Sequence, residues 1–92
     1  MRKTKKINQV NIQGNTINLK DTNVIYIIEY KGRAPIKAKA FLSTKDNNLK
    51  DAITANEKVM VIYGNNSFSL DYEYMEDHIY VNNEPSEFGI SF

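Results

Sequence analysis

The residues with the strongest chemical character in this 92-residue chain are cations and rings that interleave: Tyr26 and Tyr30, then Lys31, Arg33, Lys37, Lys39 and Phe41. Cations can track a phosphate backbone, and each aromatic face can stack a base for about 1–3 kcal/mol. Catalytic chemistry has far less to work with. There is one histidine and no cysteine, so a thiol nucleophile, a disulfide framework and a cysteine-based zinc site are all excluded. His78 sits in the acidic run Glu76-Asp77-His78 with no recognisable nucleophile or orienting partner, and reads as an exposed turn residue. The chain is therefore expected to bind rather than to catalyse, with no cofactor and no metal.

The formal charge of +1 conceals a division. All twelve Lys and Arg lie in residues 1–58 beside five acids, a net +7, whereas residues 59–92 carry six acids and no Lys or Arg, a net −6. A basic half can follow phosphate, and an acidic half can repel it or engage a basic partner. The basic start, Arg2, Lys3, Lys5 and Lys6, is followed by polar, alternating sequence with no apolar segment of signal-peptide or membrane-span length, so a cytoplasmic, membrane-free protein is expected. Twelve Asn, eleven Ile and ten Lys against two Arg are residues that A/T-rich codons overproduce, which fits a low-GC bacterium, its phages or its mobile elements.

Ninety-two residues make one domain, near the lower end of what buries a core unaided. The pattern that must position the cations and rings is mostly β. Val24 to Tyr30 is β-branched and aromatic and stops at Lys31-Gly32-Arg33-Ala34-Pro35. Ile36, Ala38, Ala40 and Leu42 then alternate with Lys37, Lys39 and Phe41, so the two segments predict a hairpin with the lysines and Phe41 on the wet face. Ser43 or Thr44 offers an N-cap to a short helix in which Leu49, Ala52 and Ile53 share one face and Asn56 can end it. Lys58 to Tyr63 is a strand. Phe68, Leu70, Tyr72 and Tyr74 alternate as a further strand with those residues inward, and His78 to Val81 is the last. Around Gly14-Asn15, either a tight hairpin turn or a kink in one long strand is compatible with the pattern. Tyr26 and Tyr30 share a face, which is the core if it turns inward and an extension of the stacking platform if it turns outward.

This order matches an OB-fold, a small five-stranded barrel with one short helix between strands 3 and 4, with SH3-like barrels as the competing architecture. The run Ile36-Lys37-Ala38-Lys39-Ala40-Phe41, the helix, and Glu57-Lys58-Val59-Met60-Val61-Ile62-Tyr63-Gly64 resemble the middle of nucleic-acid-binding OB domains, including those appended to bacterial replicative polymerases. Along the chain the expected organisation is a single domain with a flexible basic start at residues 1–6, a barrel over 7–82 and a tail over 83–92, and the resemblance covers roughly residues 8–82. The resemblance implies binding of single-stranded DNA or RNA as an accessory to a replication polymerase, primase or helicase. The end, Glu84 to Phe92, resembles the C-terminal tip of bacterial single-stranded-DNA-binding proteins at Glu87, Ile90 and Phe92, which implies docking on a replication partner. It departs from that tip in having Ser91 where a proline is expected and a single nearby acid. The alternatives are a tail that packs back on the domain and, for function, a protein-only interaction domain or small inhibitor whose acidic half binds a basic enzyme surface.

Overall fold

The computed structural model describes residues 1–91. Its elements run β1 (Arg2–Lys6), β2 (Gln9–Ile12), β3 (Asn15–Asn18), β4 (Thr22–Lys31), β5 (Ala34–Thr44), α1 (Asn47–Thr54), β6 (Val59–Tyr63), β7 (Asn66–Ser69), β8 (Tyr72–Met75) and β9 (His78–Val81), followed by a single 3-10 turn at Pro85–Phe88. The strands form two antiparallel sheets, one ordered β1-β4-β5-β9-β8 and the other β3-β2-β6-β7. The five-stranded barrel expected from the element order is not what these residues form: the nine strands stay in two open sheets and no closed barrel is found.

The departures have identifiable causes. Gln13 and Gly14 both take positive φ, 53° and 83°, which closes a tight hairpin between β2 and β3 and settles the turn-or-kink alternative in favour of the turn. The alternation from Phe68 to Tyr74 is real, but Leu70 and Asp71 carry the chain from β7 in one sheet to β8 in the other. Leu70 is buried and Phe68 and Tyr72 pack on the core, whereas Tyr74 is 42% exposed. The basic start is not a free tail. It is β1, paired with β4 from Arg2↔Ile27 to Lys6↔Asn23.

The helix forms as its pattern requires, with Leu49, Ala52 and Ile53 buried. Its cap is Asp46 rather than Ser43 or Thr44: the carboxylate accepts from the backbone N–H of Asn48 and Leu49, at 3.0 and 3.2 Å, satisfying donors that a helix start leaves free. Asn56, with φ 56°, ends it in the left-handed region. One core joins the two sheets, the helix and the tail: Val10, Ile12, Val59 and Val61 from the smaller sheet, Val24, Tyr26, Leu42 and Ile79 from the larger, and Phe88 and Ile90 from the tail. No helix among the described residues is long and apolar enough to cross a membrane.

Candidate nucleic-acid interface

In β4, the side chains of Val24, Tyr26 and Ile28 are buried, so Ile25, Ile27 and Glu29 point the other way. Residues paired across a sheet share a face, which extends this assignment strand by strand. Ile25 pairs Phe41 and Phe41 pairs Tyr80, while Thr4 pairs Ile25 and Glu73 pairs Tyr80. One transverse row therefore reads Thr4, Ile25, Phe41, Tyr80, Glu73. The next row toward the hairpin tip is Arg2, Ile27, Lys39, and beyond it Glu29 faces Lys37. This is the outward face of the larger sheet. Its centre is the Phe41–Tyr80 ring pair, with centroids 5.1 Å apart and planes tilted by 50°, and His78 lies 6.3 Å beyond Tyr80. Phe41 and Tyr80 are half-buried; Lys37, Lys39, Arg2 and His78 are exposed.

Phe41, Lys37 and Lys39 thus lie together on the wet face, as the alternation predicts. Lys31 and Arg33 are exposed at the tip of the β4–β5 arm, where Gly32 takes φ 65° to close the turn. Tyr26 and Tyr30 do not join them. Tyr26 is 2% exposed, and its phenol donates to the Asn83 carbonyl at 2.6 Å. Burial pushes that phenol well above its usual pKa, with Glu87 and Glu84 adding to the shift. Tyr26 is core because its face is the one that packs, so it cannot stack a base. Tyr30 is half-buried, beyond a register shift between Glu29 and Tyr30, and its hydroxyl is directed at the Met1 sulfur at 3.6 Å.

The basic start divides by parity. Arg2, Thr4 and Lys6 fall on the outward face; Lys3 and Lys5 fall on the inner one, where the Lys3 ammonium donates to the Ser91 carbonyl and the Lys5 ammonium lies 5.4 Å from the Tyr63 ring centroid. Sequence reasoning placed no role on Tyr80, Ile25 or Ile27. Tyr80 had a signal, since it alternates with the apolar Ile79 and Val81 and must face away from them.

The arm also has an open side. β9 pairs with β5 only at Phe41 and Leu42, then leaves, and a groove of about 440 Å³ opens in the fork, lined by Ala38, Lys39 and Phe41 on one side and Tyr80, Asn82 and Glu84 on the other. The backbone N–H and C=O of Ile28 both bond Met1. Ile28 is the register partner of Ala38, so in an antiparallel ladder the Ala38 N–H and C=O point away from β4, toward this open side.

The tail is packed. Phe88 is fully buried between Tyr26, at 6.1 Å, and Phe68, at 5.0 Å edge-on, and Ile90 is 8% exposed. Glu87 is exposed and accepts a hydrogen bond from the Asn83 side chain at 3.2 Å. A docking tip needs Ile90 free, and here it belongs to the core; Phe92 lies outside the described residues.

A second crevice, of about 610 Å³ between α1 and the β8–β9 hairpin, gathers Asp51, Lys50, Tyr74, Asp77 and His78. Tyr74 donates to Asp77 at 3.2 Å, and His78 Nδ1 lies 2.8 Å from the Glu76 carbonyl oxygen. These contacts order the hairpin turn and join no nucleophile to a base. Among the described residues no group of three or more metal-ligating side chains is gathered. Comparison with protein-family models, with curated proteins and with solved structures finds no match.

Proposed function

We propose that this protein binds single-stranded nucleic acid on the outward face of its larger sheet. The observation that carries the reading is the Phe41–Tyr80 ring pair, half-buried on the outward sheet face, in register with Ile25 and one row from Arg2 and Lys39. Apolar rings are expected inside a 92-residue domain, yet these two are left where water reaches them, beside cations that compete with no packing role. Bases stack on Phe41 and Tyr80, and Lys37, Lys39 and Arg2 neutralise phosphates. The reading does not depend on a closed OB barrel, since an open sheet presents rings and cations equally well; the order β4, β5, α1, β6 keeps the strand, strand, helix, strand sequence of an OB domain. An accessory place in replication rests on the sequence resemblance alone.

A second reading has its own observation: the β8–β9 hairpin carries Glu73, Glu76 and Asp77 with no Lys or Arg, which suits a basic protein surface. A salt-titrated fluorescence-polarisation assay separates the two. The first expects a labelled single strand to bind more tightly than the matching duplex, with affinity falling as salt rises. Equal or tighter binding to duplex, or none to either, would refute it and leave the acidic hairpin as the functional surface.

A further inference from the structure

From the charge layout around the rings we infer the path of the bound strand: it runs lengthwise down the β4–β5 arm, from Phe41 and Tyr80 to Arg33 at the tip, and not across the sheet toward β8. This inference rests on the single-strand reading above and specifies which way that strand lies.

Two routes lead away from the ring pair. The transverse row Thr4, Ile25, Phe41, Tyr80, Glu73 offers no cation: it ends on uncharged Thr4 at β1 and, toward β8, on a carboxylate with Glu76 and Asp77 at the adjoining turn. A phosphate carried that way meets negative charge within two strands of the rings. The lengthwise route meets Lys39, then Lys37, then Lys31 and Arg33, all exposed, against the single acid Glu29. Nothing blocks it, because β9 has already left β5 at the fork, and the groove there opens directly beside Phe41 and Lys39. At about 3.3 Å per residue the eight steps from Phe41 to Arg33 span about 26 Å. Bases held stacked from the rings keep the roughly 3.4 Å spacing of a stacked strand, so that length accommodates about eight nucleotides and a tetramer anchored on the rings covers only its first half. Ala38, whose N–H and C=O face the fork, offers a donor and an acceptor to the edge of the base next to the rings.

The path makes Arg33 a distal contact that only a long enough strand can reach. The experiment measures anisotropy of labelled oligothymidylates of about four, eight and twelve nucleotides against the full chain, the Arg33→Ser variant and the Glu73→Gln variant, over a salt series. Arg33 lies in an exposed turn, and an unchanged melting curve confirms that its variant folds. Expected are a plateau in affinity by about eight nucleotides and a roughly threefold loss for Arg33→Ser with the octamer, with its log–log salt slope smaller by about 0.7. The tetramer should be unaffected by Arg33→Ser, and Glu73→Gln should change either affinity less than about twofold. Octamer binding that ignores Arg33→Ser, or that tightens severalfold in Glu73→Gln, overturns the lengthwise path while leaving the single-strand reading standing. Failure of the unmodified chain to bind any of the oligonucleotides removes both.

Discussion

The two faces of the larger sheet each carry an aromatic pair, and the pairs differ in how far they are buried. On the inner face Tyr26 and Phe88 sit 6.1 Å apart, both essentially inaccessible, with the Tyr26 hydroxyl tied to the Asn83 carbonyl. On the outer face Phe41 and Tyr80 sit 5.1 Å apart and stay partly exposed, Phe41 also lining the crevice beside α1. Ring contact alone therefore says little about role. What separates the pairs is burial: a tail closes one, and the other stays partly exposed.

Truncation sharpens this contrast most at Phe88, where replacement by Ala should cost about 3–5 kcal/mol because it empties the space between Tyr26 and Phe68. Urea melts would read this as a large drop in midpoint with little change in slope. A loss below about 1 kcal/mol would mean that the tail is not part of the core.

Next in size is Phe41→Ala, whose effect should appear in binding: about 1–3 kcal/mol of single-strand affinity, from polarisation titrations, against less than about 1 kcal/mol of stability. If this variant instead loses stability on the scale of Phe88→Ala, the two faces are not different in kind and the comparison fails.

A smaller effect, of about 1 kcal/mol, is expected for Tyr26→Phe, which deletes the bond to Asn83 but keeps the ring. It carries a pH signature. Because burial raises the Tyr26 phenol in the folded state, its contribution is complete below the unfolded value near pH 10 and is lost as pH rises above it. Tyr72, raised mainly by burial and further by Glu57, acts in the same direction. Stability of the unmodified chain should therefore fall above about pH 10, and Tyr26→Phe should fall less steeply. Identical alkaline profiles for the two would show that the Tyr26 hydroxyl is not buried in the folded state. Smallest is Lys37→Ser: stability should stay within about 0.5 kcal/mol, and the salt slope for an octamer should drop by about 0.7.

The β4–β5 hairpin and the helix were legible from periodic patterns, with Leu49, Ala52 and Ile53 buried in α1; in β5 the alternation buries only Ala40 and Leu42, and Ile36 and Ala38, expected on the same core face, are exposed where the arm runs past the core. The outward placement of Phe41 with Lys37 and Lys39 was legible too. The break at Leu70-Asp71 was hidden because side-chain parity runs on through it, Phe68, Leu70 and Tyr72 all remaining on the core side while the strand changes sheets. Strand β1 was hidden for a different reason. Arg2 to Lys6 has no apolar alternation, and it is held by pairing to β4 rather than by burial of its own side chains. The second ring of the outer pair was readable in principle from Ile79 and Val81, but its meeting with Phe41 depends on β9 returning beside β5, a long-range pairing that periodicity does not encode.

The open side of the arm has a consequence for how this protein behaves in concentrated solution. A strand without a neighbour is an invitation to other chains, and a long, flat one seeds fibres. Here the stretch that β9 abandons is interrupted in three ways: Pro35 brings no N–H, Ile36 is an extra residue where the register with β4 slips between Glu29 and Tyr30, and Lys37 and Lys39 would meet like charges in any copy added antiparallel across Ala38. The lysines proposed to contact phosphate would also oppose edge-to-edge pairing of the arm. Replacing both with threonine should therefore bring time-dependent aggregation along with weaker oligonucleotide binding, the cost of exchanging a charged edge for a neutral, β-prone one.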